Sequence, residues 1–163
     1  MDEELNQVAL QARDAIRERF GVEARSFRGE ISLVVEPGQL QDVARTLRDE
    51  FGFNFLSSLT AVDYWPKLEP RFHVVYQLYS HPHNTRLCLR VPVNDRDPVV
   101  PTAEIIWQVA NWHEREVFDM FGIRFQGHSD LRRILMPYDW EAGYPLRKDY
   151  KNPEFYKGMK VPY

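Results

Sequence analysis

The stretch that most restricts how this chain can fold runs from His113 to Tyr150. Acids, arginines, aromatics and prolines follow one another there without a lasting period. Its first part can be a helix, but past Phe121-Gly122 neither a helix nor a simple strand accounts for the pattern. The segment has too much apolar area to float in water and too little regularity to build a core of its own. It must lie on something, either the rest of this chain or another protein. The remaining sequence reads as the platform that presents it.

That platform starts with a one-sided helix. Leu5, Val8, Ala9, Ala12, Ile16 and Phe20 fall at helical spacing, Glu3 and Glu4 suit the positive end of the helix dipole, and Arg13, Arg17 and Arg19 suit the negative end. Gly21 is a natural stop. Ile31, Leu33 and Val35 then alternate as in a strand, with a hairpin turn at Arg28-Gly29, before Pro37-Gly38 breaks the run. A second amphipathic helix follows, with Leu40, Val43, Ala44, Leu47 and Phe51 inward and Gly52 as its cap.

Three β-like segments come next. Residues 53–65 are rich in aromatic and β-branched side chains. Phe72, Val74, Tyr76 and Leu78 alternate with His73, Gln77 and Tyr79, and Leu87, Leu89 and Val91 alternate with Arg86, Cys88 and Arg90. His81-Pro82-His83-Asn84 turns between the last two, which should pair as an antiparallel hairpin. Residues 94–101 read as a loop. Thr102 can cap a third helix running to about Phe121, with Gly122 ending it. The fold class is therefore α+β, a mainly antiparallel sheet with helices packed on one face.

The composition shifts at about Gln126, which divides the chain into an α+β domain at 1–125 and an irregular, extended C-terminal arm at 126–163. Pro137, Pro145, Pro153 and Pro162 prevent long helices and central strands in the arm. Tyr138, Trp140, Tyr144, Tyr150, Phe155, Tyr156 and Tyr163 are interleaved with them. A disordered tail is poor in such rings, so the arm is expected to wrap a partner. Arg147, Lys148, Lys151, Lys157 and Lys160 make its end mildly basic against Asp149 and Glu154.

A formal net charge of -3 excludes a globally basic nucleic-acid binder. The cation-and-ring mixture after Tyr144 fits a protein partner better than RNA, because acids interrupt it. The lone cysteine, Cys88, rules out a disulfide within the chain and any cluster held by several of its thiolates, and it suits a reducing compartment. The first residues carry acids where a targeting peptide carries positive charge. No apolar run approaches the roughly 20 residues that span a bilayer.

Few residues point to chemistry. His113, Glu114, Glu116 and Asp119 lie within two helical turns, yet position 117 is valine, so the zinc-protease spacing is missing. Arg115 sits four residues before Asp119 and offers an intrahelical ion pair instead. His81 and His83 alone make an incomplete metal shell. Arg86 and Arg90, on the strand face of Cys88, would lower its thiol pKa, but no histidine base stands at a recognisable spacing. Asp130, Arg132 and Arg133, with Arg147, Lys148 and Asp149, form two charged clusters suited to bidentate pairing with carboxylates, on another protein or within the chain. No glycine-rich phosphate loop is present.

One resemblance is specific. From Glu114-Arg115-Glu116-Val117-Phe118-Asp119-Met120-Phe121-Gly122-Ile123, through Phe125, Gly127-His128 and Asp130-Leu131-Arg132-Arg133-Ile134-Leu135, the chain resembles the 30 kDa subunit family of respiratory complex I, the NADH–quinone oxidoreductase. Asp139-Trp140 and Pro145-Leu146-Arg147-Lys148-Asp149-Tyr150 extend the match. The resemblance implies a structural and assembly subunit of the peripheral arm, on the cytoplasmic side of a prokaryotic membrane, with no catalytic site or cofactor of its own. Flavin and iron–sulfur clusters would belong to other subunits. The implied partners are the quinone-site subunit and the neighbouring iron–sulfur subunits of complex I, with no nucleic acid and the membrane reached only through the complex. Glu114, Arg115, Glu116, Asp119, Gly122, His128, Asp130, Arg132, Arg133, Arg147, Lys148 and Asp149 carry the family signature, with docking and internal pairing as their implied roles. Ser129 and Lys151 stand where the family commonly has proline, which should leave the backbone freer at both places. The alternatives are a relative fed by ferredoxin or F420, a membrane-bound hydrogenase, or, outside the class, a free-standing metal-dependent enzyme using the His113 to Asp119 acids.

Overall fold

Arg28 and Gly29 both take positive φ, 50° and 82°, the geometry that lets a two-residue loop follow the twist of its strands. Glu23–Phe27 (β1) therefore pairs antiparallel with Glu30–Val34 (β2), Phe27 opposite Glu30. The computed structural model describes residues 2–161, with side chains from residue 7 onward. The side chains of Glu3, Glu4 and Leu5, and all of Pro162 and Tyr163, lie outside what is described.

Asp2–Phe20 forms α1, which ends where Gly21 donates its N–H to the Arg17 carbonyl. A single 3₁₀ turn at Pro37–Gln39 leads into α2, Leu40–Phe51. Gly52 closes α2 at φ 70°, in the left-handed region that favours glycine. Leu40, Val43, Ala44 and Leu47 are all fully buried, and each leucine contributes roughly 1.5–3 kcal/mol by burial.

Phe55–Asp63 (β3), Phe72–Ser80 (β4) and Thr85–Val93 (β5) complete a five-stranded sheet in the order β1-β2-β5-β4-β3. Its pairs are antiparallel except β2 with β5, the crossover made by α2 and the β3–β4 hairpin. Alternation sorts the two faces. Leu33, Leu89, Val74 and Leu59 point to the side of α1 and α2 and form the core, while Ser32, Arg90, Gln77 and Thr60 point away.

Two elements differ from the sequence expectation. The third helix does not start at Thr102. The Thr102 hydroxyl does accept the Glu104 N–H (3.1 Å), but only a turn follows, and regular helix α3 runs Ala110–Phe121. Side chains of α2 and α3 hold the residues between. Gln41 donates to the Thr102 carbonyl (2.9 Å), Arg48 to the Ile106 carbonyl (3.0 Å), and the Glu114 carboxylate takes the Ala103 N–H (2.6 Å). The indole N–H of Trp107 reaches the Phe53 carbonyl (3.2 Å), which fixes the turn against the start of β3.

The segment 94–101 is not wholly a loop. Val99–Pro101 (β6) pairs in parallel with Arg124–Gln126 (β7), and Val100 is buried between them. Beyond Gln126 the chain is irregular apart from a small hairpin, Phe155–Tyr156 (β8) with Met159–Lys160 (β9). Lys157 and Gly158 turn it at positive φ, a local signal within an arm otherwise expected to be irregular.

Candidate functional site

The arm does not project from the domain. Four polar devices hold its backbone down, and they collect most of the signature residues.

The first is Asp119, fully buried on α3. One of its oxygens accepts the N–H groups of Ile134, Leu135 and Met136 (3.1, 2.8 and 2.8 Å), and the other takes Arg133 (2.6 Å). Burial alone would raise this carboxyl, but those four hydrogen bonds outweigh it and hold its pKa below the usual range. The expected Arg115–Asp119 ion pair is absent. Arg115 turns aside, stacks over Trp112 and donates to the Arg132 carbonyl (3.3 Å). An acceptor ringed by three backbone N–H groups and a guanidinium left it no place.

The second device is the end of α3. Gly122 takes φ 75°, and a Cβ there would collide with the ring of Tyr144. Arg147 donates to the Phe121 carbonyl (2.6 Å) and lies between the rings of Phe72 and Tyr144. Leu146 donates its N–H to the Met120 carbonyl (3.1 Å). The last carbonyls of α3, which lack helical partners, are thus capped by the arm.

The third is a hub beside β4 that sequence reasoning missed. Arg71 is 1% exposed and binds Asp63 through two nitrogens (both 3.0 Å), Asp95 (3.0 Å) and Asp149. Asp63 also accepts the Lys148 N–H (2.9 Å), and the Arg71 guanidinium stacks on Trp65 and Phe72. The hydrogen bond from Arg71 lowers the Asp149 carboxyl, and Asp63 most strongly raises Arg71. Its contacts lie 8, 24 and 78 residues away, so no local spacing announced it.

The fourth sits where the arm begins. Ser129 donates both its N–H (3.0 Å) and its hydroxyl (2.6 Å) to Glu104, whose carboxyl those bonds pull down to about 2. The serine does not free the backbone as expected. It ties the backbone down, and a proline has no N–H to make the first of those bonds. The His128 ring is enclosed, with Nδ1 accepting the Asp130 N–H and Nε2 bonding the Asn111 carbonyl (both 3.0 Å). Glu114 is fully buried beside it and accepts from the Thr102 hydroxyl (2.5 Å). Burial pushes the Glu114 carboxyl up to about 7 despite that bond and the one from Ala103.

Between these pins Leu131 and Met136 pack on the core, and other large side chains point outward. Tyr138 is 92% exposed, and Leu135, Leu146, Phe155 and Met159 are exposed too. On α3 and the turn before it, Trp112 is 62% exposed, and Ile105 and Val109 are exposed as well. Of the signature residues, Glu116, Asp130, Arg132 and Lys148 present their side chains to solvent, Arg132 pairing only with Asp130 (2.9 Å). Exposed apolar side chains interspersed with charge mark an interaction surface.

Catalytic chemistry finds little here. Among the described residues no group of three or more His, Cys, Asp or Glu side chains is placed to hold a metal ion. The Cys88 thiol is pushed up by burial, which overcomes the pull of Arg90, so it is not the activated thiolate the neighbouring arginines suggested.

Comparison with known proteins agrees with the geometry. The family described as the respiratory-chain NADH dehydrogenase 30 kDa subunit matches residues 33–156. The corresponding NADH-quinone oxidoreductase subunit of Roseiflexus sp. (strain RS-1) is 56% identical over 125 residues, covering 76% of this chain and 71% of that one. Its namesake in Geobacter sulfurreducens is 45% identical over 150 residues, covering 88% and 92%. Among solved structures, a trypsin-resistant fragment of Nqo5 superposes with a TM-score of 0.64 at 35% identity, over 78% of this chain and 99% of the fragment. A chain of the membrane-bound sulfane sulfur reductase, an archaeal respiratory membrane complex, shares the fold with a TM-score of 0.69 at 23% identity, over 88% and 85%.

Proposed function

This chain belongs to the 30 kDa subunit family of the respiratory-chain NADH dehydrogenases, and from that premise we propose that it is the 30 kDa-type subunit of a membrane-associated NADH–quinone oxidoreductase. Its part in that reading is structural. It presents α3 and the arm to neighbouring subunits, those of the quinone site and of the adjoining iron–sulfur clusters, on the cytoplasmic face of a prokaryotic membrane. Flavin and iron–sulfur clusters sit in other subunits, and this chain carries neither a cofactor nor a catalytic site. No helix among the described residues is long and apolar enough to cross a membrane, and in this reading the bilayer is met through the complex.

One observation supports the reading most: the arm's backbone is tied inward by polar side chains while Leu135, Tyr138, Leu146, Phe155 and Met159 face outward, with Leu131 and Met136 packed on the core. A tail folded for its own sake buries those side chains instead. Of the acids that a free-standing enzyme would use, Glu114 and Asp119 are already occupied by backbone N–H groups and neighbouring side chains, and Glu116 stands apart from them on the exposed face of α3. The Nqo5 fragment is trypsin-resistant and matches 78% of this chain, which accords with a rigid domain at 1–125 and a more accessible arm at 126–163. The pins move the expected cleavage sites. In the isolated chain trypsin should cut first at Lys151, Lys157 and Lys160, beyond the Arg71 hub, and those sites should be protected in the assembly.

The test is affinity purification from native membranes through a tag on this chain. Other respiratory subunits should co-purify, with NADH-dependent quinone reduction in the assembly and none in the isolated chain. A lone monomer that turns over a substrate would overturn the reading. The fold is also that of a chain in the sulfane sulfur reductase complex, so a ferredoxin- or F420-fed relative, or a membrane-bound hydrogenase, is the second reading. The electron donor accepted by the purified assembly separates them.

A further inference from the structure

The arm and α3 use one side of the molecule. The outer face of the five-stranded sheet, opposite α1 and α2, is a different surface. Two grooves of about 670 and 600 Å³ open on it, one around His73 and Lys67 and the other around Gln77 and Cys88. They follow one another along β5, whose outward residues run Arg86, Cys88, Arg90, Pro92. Those six steps span about 20 Å at roughly 3.3 Å per residue. An extended peptide of six or seven residues has that length.

The two ends differ in chemistry. At one end, proline and valine walls (Pro37, Pro70, Pro92, Val34) surround His73, whose buried Nδ1 has no hydrogen-bond partner. After burial itself, the groups that act on that imidazole are the cations Arg90, Lys67 and Arg25. Arg90 donates to the Tyr64 hydroxyl (3.2 Å) and lies against the Cys88 thiol, and the Tyr64 ring packs edge-on against His73 at 5.0 Å. Of the acids that line or edge this cleft, Glu23 is engaged by Arg25 and Asp97 by Arg124, while Glu36 lies on its wall; against Glu36 stand Lys67 and Arg90, which pair with no acid among the described residues. At the other end the rings of Phe55, Tyr79 and His81 cluster, with Phe55 exposed.

We propose that this outer face binds an extended acidic segment of another polypeptide, with one carboxylate seated among Arg25, Lys67, His73 and Arg90 and an apolar residue on the Phe55–Tyr79–His81 cluster. Charge complementarity selects the carboxylate, since Lys67 and Arg90 have no acidic partner among the described residues and an anion supplies one. The spacing of the two grooves along β5 selects a chain over a small ion. The proposal rests on the assembly reading only in that the segment comes from a co-assembled subunit.

The experiment uses the assembly purified through this chain. Lys67 should acetylate at least tenfold more slowly there than in the isolated chain. Carbodiimide should join Lys67 at zero length to an aspartate or glutamate of another subunit, mapped by mass spectrometry. Both effects should vanish in the double variant Arg25→Glu, Arg90→Glu, whose isolated form should melt like the wild type because both side chains lie on an outer surface. Equal Lys67 reactivity in the two states, or crosslinks confined to this chain, overturns the proposal while leaving the assembly reading intact. Saturable protection of Lys67 in the isolated chain by inorganic phosphate alone overturns it in favour of a small-anion site. If no other subunit co-purifies, both readings fall together.

Discussion

The α+β domain and the arm are stabilised by different means. In the domain, apolar residues at regular spacing meet across short turns, and α2 or β5 would be recognised from its own residues alone. In the arm, order comes from a few polar side chains that reach far along the chain, such as Asp63 accepting the Lys148 N–H across 85 positions. Area burial makes the domain, and point attachment makes the arm. The difference teaches why a segment of prolines and rings can be firmly placed and still leave its apolar side chains free for others.

Asp119→Ala should break the comparison most severely. It strands three part-buried N–H groups and the Arg133 guanidinium together, and removing the buried acid from such a charged network costs about 3–5 kcal/mol. Urea unfolding should show that loss in the midpoint of the whole domain, because Asp119 sits on a core helix. If only arm amides exchange faster while the domain midpoint stays put, the two regions are separate cooperative units.

Much of this division was legible beforehand. Leu40, Val43, Ala44 and Leu47 announce α2, and Arg28-Gly29 and His81 to Asn84 announce their hairpins, because each signal is local. Thr102 misled by being a genuine cap: its hydroxyl bond formed, but α2 and Glu114 hold the residues after it in a turn. Arg115 and Asp119 misled by helical spacing, since an exposed pair of that kind is worth about 0.3–0.5 kcal/mol and four hydrogen bonds from the arm win easily. Within the signature, the sequence did not sort Arg133, turned inward, from Arg132, turned outward. Arg71 was missed entirely, because its three carboxylates assemble only when the end of β3, the segment after β5 and the arm meet.

Glu114 gives a pH signature that belongs to the seam between the regions. Its carboxyl stands near 7 in the folded protein, against about 4.5 when solvated. Between those values the folded chain keeps a proton the unfolded chain has lost. Stability from this group therefore falls as pH rises from about 4.5 to about 7, then levels off. At about 1.4 kcal/mol per pH unit the change is on the order of 3 kcal/mol. His73, held below its usual range mainly by burial, acts in the opposite sense near its ordinary pKa. The clean measurement is the difference in urea midpoint between the wild type and Glu114→Gln across that range. A difference independent of pH removes Glu114 as the cause.

Gly122→Ala should have a smaller and more local effect. A left-handed residue with a Cβ costs roughly 1–2 kcal/mol, and here the methyl also displaces the Tyr144 ring. Exchange should rise at Leu146 and Arg147, whose bonds to the end of α3 depend on that approach. Adding Tyr144→Ala removes the collision but not the backbone strain. The double variant should then lose less than the sum of the two single losses. Additive losses would mean the ring and the glycine are independent.

The smallest effect on stability carries the sharpest distinction. Arg132 is 72% exposed and pairs only with exposed Asp130, so Arg132→Glu should change the unfolding midpoint by no more than about 0.5 kcal/mol. Arg133 pairs with buried Asp119, so Arg133→Glu should unfold the arm root before any partner is involved. If the outward face is the docking surface, Arg132→Glu yields a well-folded chain that co-purifies poorly with the other subunits. Comparing it with Arg133→Glu separates loss of docking from loss of fold, which charge reversal at either arginine alone leaves mixed. Normal co-purification of Arg132→Glu would confine the signature charges to internal pairing and leave docking to the exposed rings alone.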